Sequence, residues 1–207
     1  VKPAIPTPRR NKKRSERPLA ALNRDRWLKL LDNPSQHTYL LSPSGKATQF
    51  QFLRDIAFVM DYLISEMEYR TSKIGVATKN GFLLRTWANV ARGTGLPEWR
   101  VKQCVSFARN REWITSTQPR NNINGDWYGL ASIKRVTQKY FKDLGLLDAL
   151  AQARKAASKS IKKFAATTGV EVRLMLTPIT LLRKFRSRRL NLPPNSGRFS
   201  GDSYRDR

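Results

Sequence analysis

The chain has 207 residues, 40% of them apolar, with five Trp and nine Phe. That is enough to build a packed core rather than a solvated basic tail. Forty Lys and Arg against fifteen Asp and Glu leave a formal charge of +25, which selects polyanionic partners through steering and counterion release and says nothing about fold. Cys104 is the only cysteine and His37 the only histidine, so a disulfide framework and zinc fingers are excluded and a reducing cytosol is expected. No apolar run is long enough to span a bilayer, and VKPAIPTPRRNKKRSERP has no apolar signal-peptide segment.

Residues 1–26 are rich in Lys, Arg and Pro with few apolar anchors, and predict a disordered or extended basic arm. A short amphipathic turn follows Trp27 and closes at Asn33-Pro34, and Thr38-Tyr39-Leu40-Leu41 predicts a short strand. Residues 49–68 predict the main scaffold helix. Phe52, Ile56, Val59, Leu63 and Met67 repeat at helical spacing, and Phe50, Leu53, Met60 and Ile64 widen the apolar face. SKIGVAT (residues 72–78) is extended, and Asn80-Gly81 is a turn pair before Phe82-Leu83-Leu84.

The most informative stretch is residues 82–131. Thr86 is an N-cap for a short helix over 87–92, with Trp87, Val90 and Ala91 inward, and Gly93-Thr94-Gly95 stops it. Pro97 sits in the first turn of a second helix, in which Val101, Cys104, Val105 and Ala108 form one buried face. The opposite side carries Glu98, Trp99, Arg100, Lys102, Gln103, Ser106, Arg109 and Asn110. Arg pairs with guanine, and Gln or Asn with adenine, in the major groove, so this face has base-reading chemistry. Trp113 leads into a strand, residues 119–126 form a polar tip, and residues 127–130 return as a second strand. Arg120 at the tip is the expected contact to a backbone or minor groove. The order helix, glycine turn, helix, strand, basic tip, strand is that of a winged helix-turn-helix.

Residues 133–144 predict an amphipathic helix with Val136, Tyr140, Phe141 and Leu144 inward, and residues 146–164 an alanine- and lysine-rich helix with a thinner apolar set. Alternation over residues 170–176 predicts a strand, residues 179–190 a last amphipathic helix, and residues 191–207 a disordered tail. The expected division is a basic arm (1–26), a winged-helix DNA-binding domain (27–148), a basic helical extension (149–190) and a tail (191–207). The fold class is α+β: mainly α with a small β wing.

Catalysis is poorly supplied. His37 has no second histidine or nucleophile motif beside it, and no phosphate-binding glycine loop is present. Gly93-Thr94-Gly95 is too short for a dinucleotide fingerprint. Asp55, Asp61, Glu66 and Glu68 are not spaced to converge on one helical face. Tyr140 lies among Lys134, Arg135, Lys139 and Lys142 in the manner of a nicking tyrosine, but lacks a metal-binding histidine pair. The expectation is a binding protein that is not an enzyme, with no catalytic residue, metal or cofactor.

The segments TWANVARGTGL, WRVKQCVSFARNREWIT and QKYFKDLGLLDALAQARKAASKSIKKF, in this order behind a long apolar helix, are similar to RepA-type plasmid replication initiators. The likeness covers roughly residues 50–165. It implies sequence-specific binding to a plasmid origin in a bacterial cytoplasm, opening of the duplex, and recruitment of host initiation proteins and helicase, without chemistry of its own. The recognition positions it carries over are Arg100, Lys102, Gln103, Ser106 and Arg109. Two other readings compete: a winged-helix transcriptional regulator, and a basic structural RNA- or ribosome-binding protein. The composition leaves RNA open as a partner; a palindromic DNA site would imply a homodimer and direct repeats a monomer.

Overall fold

The computed structural model describes residues 12–42, 44–123 and 126–182. Its elements in chain order are α1 (Lys12–Ser15), α2 (Pro18–Asp32), α3 (Phe50–Glu66), β1 (Met67–Glu68), β2 (Lys73–Thr78), β3 (Gly81–Leu84), α4 (Trp87–Thr94) and α5 (Glu98–Asn110). Then follow β4 (Ile114–Thr117), β5 (Arg120–Ile123), β6 (Asp126–Gly129), β7 (Ile133–Val136), α6 (Gln138–Asp143), α7 (Leu147–Thr168) and α8 (Val172–Met175). The class is α+β. The sheet is antiparallel, with strand order β1-β2-β7-β4 and β3 joined to β2, while β5 and β6 form a separate two-stranded ribbon.

The helix α3 is the hub. Its widened apolar face predicts burial over much of its girth, and Leu53 and every residue from Asp55 to Glu66 are buried. Three carboxylates are carried into the interior with the apolar residues, and each is held by arginine. Asp55 pairs with Arg100 of α5 at 2.6 Å, Asp61 with Arg24 of α2 at 3.4 Å, and Glu66 with both Arg14 of α1 at 3.0 Å and Arg85 after β3 at 2.8 Å. A buried carboxylate left alone would be strongly destabilising, so these pairs fix which helix sits where.

This corrects the expected arm. Residues 12–15 and 18–26 are helical rather than extended; Leu19, Ala20 and Asn23 are buried, and the core begins ahead of the expected boundary at residue 27. The physical reason is that the arm's charges have internal partners. Besides Arg14 and Arg24, the Arg17 guanidinium donates to the carbonyls of Ser65 and Met67 (3.0 Å to the latter) at the C-terminus of α3, and lies 4.1 Å over the Tyr69 ring. Burial lowers the Arg17 pKa below its ordinary value, so this guanidinium acts as a helix-end cap at some desolvation cost.

Aromatic packing closes the other side of the core. Trp113 meets Trp27, Tyr39, Phe107 and Tyr140 edge-on at 5.4–6.2 Å. Tyr140 donates to Asn23 Oδ1 at 2.5 Å and accepts from Trp27 Nε1 at 2.8 Å, joining α6 to α2. This hydroxyl is wholly buried, burial raises its pKa, and both of its hydrogen bonds run to α2 inside the core.

Four further expectations are corrected. Residues 38–41 form a 3-10 turn (Thr38–Leu40), not a strand, with Tyr39 stacked on His37 at 5.5 Å. The predicted helix over 133–144 is a strand, β7, followed by α6, because Ile133–Val136 pairs with both β4 and β2. The alternating residues 170–176 contain the short helix α8, whose Met175, with Leu176, packs against Phe82 and Ile161. Residues 127–130 are not the return strand of the main sheet; that strand is β7. Residues 179–182 are helical, while the rest of the predicted last helix, the tail at 191–207 and residues 1–11 of the arm lie outside the described residues.

Candidate nucleic-acid interface

The pair α4 and α5 is built by local rules that the sequence announces. Thr86 caps α4: its Oγ1 accepts from Asn89 N at 3.2 Å, and Asn89 Oδ1 accepts from Thr86 N at 3.0 Å. Such a reciprocal capping box satisfies two of the helix's orphan donors. Gly95 ends α4 at φ 74°, where a side chain would be strained. Gly93 has a different purpose: a Cβ there would lie 1.9 Å from the Tyr62 ring, so α4 rests directly on α3. Pro97 is the N-cap of α5, with the helix starting one residue later.

Val101, Cys104, Val105 and Ala108 are buried, as their spacing predicts. Burial pushes the Cys104 thiol up to about 12, which leaves it protonated and inert. On the other face Trp99, Lys102, Gln103, Ser106, Arg109 and Asn110 are exposed together. Lys102 pairs with Glu98 one turn earlier at 3.1 Å, a solvent-exposed pair that a phosphate can displace. Arg100 does not join this face as expected. Its Nε donates to the buried Asp55, its guanidinium lies 4.7 Å over Phe52, and its Nη1 donates to Gln103 Oε1 at 3.0 Å. It holds the Gln103 amide by its oxygen, and the Nε2 hydrogens take no part in that contact.

At the far end of α5, Glu112 adopts φ 59°, a left-handed value unusual for a side chain with a Cβ. Glu112 N donates to Arg109 O and Trp113 N to Ala108 O, both at 2.8 Å, the bonding pattern of a Schellman stop. Thr137 then bonds back twice, N to Trp113 O at 2.9 Å and Oγ1 to Glu112 O at 2.6 Å.

From this stop β4 and β7 run as one ladder, ending at the pair Thr117 and Ile133. The ribbon β5–β6 restarts at Arg120 and Gly129. Two residues separate the ladders on the outgoing side and three on the return side, and Leu130 N donates to Pro119 O at 2.8 Å between them. The extra residue is a bulge, which re-aims the ribbon relative to the sheet. Arg120 therefore lies at the base of the ribbon, not at its tip, which falls at residues 124–125 outside the described residues. Trp127 and Tyr128 on β6 are 68% and 52% exposed, a feature the alternation of the sequence does not reveal.

Lys134 is the least expected member. Its side chain is buried, donates to Arg85 O at 2.8 Å, and lies 4.6 Å from the Trp87 ring centre. Burial, with nearby Arg109 as a second cause, lowers its pKa to about 8. A second basic surface lies on α7. Lys155, Lys159, Lys162 and Lys163 are exposed on the side opposite Leu150, Ala153, Ala157 and Ile161.

Among the described residues no cluster of His, Cys, Asp and Glu is placed to hold a metal ion, and no helix is long and apolar enough to cross a membrane. A groove of about 570 Å³ lies between the start of α2, β1–β2 and α7, with an apolar lining that includes Leu22, Met67, Ala153 and Phe164. No residue of α5 or of the ribbon lines it. Compared with protein-family models, curated proteins and solved structures, the chain matches none.

Proposed function

We propose that the chain is a winged-helix DNA-binding protein that reads a duplex origin sequence and initiates plasmid replication with host initiator and helicase partners. The observation that carries DNA binding is α5 itself: one face locked into the core, the other presenting Lys102, Gln103, Ser106, Arg109 and Asn110 to solvent. The order α3, β2, α4, α5, β4, β7, with β7 between β2 and β4, supports the winged-helix reading. In such a unit the second helix of the pair enters the major groove, and the strand pair behind it flanks the groove. Asn and Gln read adenine and Arg reads guanine there, while Trp99 at the first turn offers an apolar contact for a thymine methyl. The +25 charge and the lysine face of α7 supply the phosphate affinity that base reading needs. The origin assignment rests on the likeness of residues 50–165 to replication initiators.

The test is selection from a random duplex pool at about 200 mM salt, where contacts to phosphate alone are weak. A defined motif that Arg109→Ala and Gln103→Ala each relax at a particular position is the expected result, and direct repeats of it would mark an origin. A palindromic motif would make the protein an operator-binding regulator. Recovery of no motif, with tight binding to structured RNA, would overturn the reading.

A further inference from the structure

The ribbon β5–β6 contrasts with the rest of the molecule in two ways. First, it is formally neutral: its paired residues contain one cation, Arg120, and one anion, Asp126, in a chain of +25. A wing that grips phosphate would be expected to carry part of the excess positive charge. Second, neighbouring residues of a strand point to opposite faces, and here the neighbours are Trp127 and Tyr128, both more than half exposed. The ribbon therefore carries a bare aromatic ring on each of its two sides. Of the five tryptophans, Trp27 and Trp113 are fully buried and Trp87 is partly so; the exposed ones, Trp99 and Trp127, lie on α5 and on this ribbon.

Two rings back to back on a neutral ribbon form a poor fit to a closed duplex. A B-form minor groove is only about 6 Å wide, and the flat faces of paired bases are already covered by their neighbours. Base faces become available where pairing is broken, and aromatic side chains bind them there with little regard to sequence. Across the ribbon Asn122 pairs with Trp127 and Asn121 with Tyr128, so both rings sit on the hydrogen-bonded part of the ribbon. The extra residue at 130–132 interrupts the ladder between the main sheet and this platform.

We propose that Trp127 and Tyr128 stack on unpaired bases, so that the protein binds its site more tightly when the DNA beside it is open. The inference rests on the DNA-binding reading and adds to it a preference for a bubble next to the paired site. The experiment uses the full chain and two DNAs: the selected duplex, and the same duplex with a short mismatched bubble on either flank. Wild-type protein is expected to favour one bubbled DNA by about tenfold or more, since each base–aromatic stack is worth roughly five- to 150-fold. The double variant Trp127→Ala, Tyr128→Ala is expected to lose that preference and to keep its affinity for the closed duplex within about twofold. Trp127→Phe, Tyr128→Phe keeps both rings and is expected to retain the preference. An unchanged preference in the alanine variant would overturn the proposal, and so would an equal loss on both DNAs, which would make the ribbon a backbone contact. Failure of the wild type to bind either DNA would overturn the DNA-binding reading as well.

Discussion

Substituting Arg100 by Ala distinguishes a reader of DNA from a strut of the fold. Asp55 is 4% exposed and has two hydrogen-bonding partners among the described contacts, Arg100 at 2.6 Å and Gln51 at 3.2 Å. Removing one member of a buried ion pair typically costs about 3–5 kcal/mol, because the other charge stays buried. The Gln51 amide remains, and the Arg100 side chain is 21% exposed, so the lower end, about 3 kcal/mol, is expected. Loss of the guanidinium over Phe52 is included in that figure. In a protein of this size each kcal/mol moves the melting temperature by about 2–4 °C, giving a fall of roughly 6–12 °C. Calorimetry at neutral pH measures the fall, and a double-mutant cycle with Asp55→Asn should return a coupling of about 2–3 kcal/mol. Arg109→Ala, on the exposed face of the same helix, should stay within about 0.5 kcal/mol of wild type. If Arg100→Ala melts within about 2 °C of wild type, the pair does not hold α5 to α3, and Arg100 returns to the reading face.

Two other substitutions test separate parts of the structure. Gly93→Ala would gain about 1 kcal/mol of helix propensity, but its Cβ would meet the Tyr62 ring at 1.9 Å; a net loss of roughly 1–2 kcal/mol in urea unfolding is expected, and a variant as stable as wild type would refute the close approach of α4 to α3. Lys134 has a native pKa of about 8 against an ordinary 10.5, so between those values the unfolded chain binds more protons and stability from this group rises with pH. Measured against Lys134→Met, wild-type stability should therefore gain about 2–3 kcal/mol from pH 8 to pH 10, and a flat or falling difference would show that the ammonium is solvated.

The elements legible in the sequence are those whose signals are local. Thr86, Gly95 and the 101/104/105/108 spacing define α4 and α5 from nearest-neighbour rules alone, and the apolar repeat of α3 is long enough to be unambiguous. Misreadings occur where partners are distant. Val136, Tyr140, Phe141 and Leu144 mimic one helical stripe, but the stripe straddles a strand–helix junction at Thr137. Arg14, Arg17 and Arg24 look like a solvated run, because the carboxylates that Arg14 and Arg24 pair with, and the α3-end carbonyls that Arg17 caps, lie 37 or more residues away. Arg100 has reading chemistry by residue type and spacing; only the depth of Asp55 across the helix interface reveals its other engagement. The exposure of Trp127 is hidden for a related reason, since a bulge in a ribbon is a property of two strands and cannot be read from either.

The stop at Glu112 has a mechanical consequence. It joins α5 to β4 through a single left-handed residue, and Thr137 ties that residue to the start of α6. Helix and strand pair thus meet at an angle set by four hydrogen bonds and the buried Trp113, with no slack segment between them. For a protein that reads DNA, such a joint shifts the burden of adaptation to the nucleic acid. The duplex must bend or twist to meet both parts at once, and the energy of doing so depends on base steps that no side chain touches. Flexible pyrimidine–purine steps between the two footprints would then be favoured in the selected sites, a preference written by the rigidity of one turn.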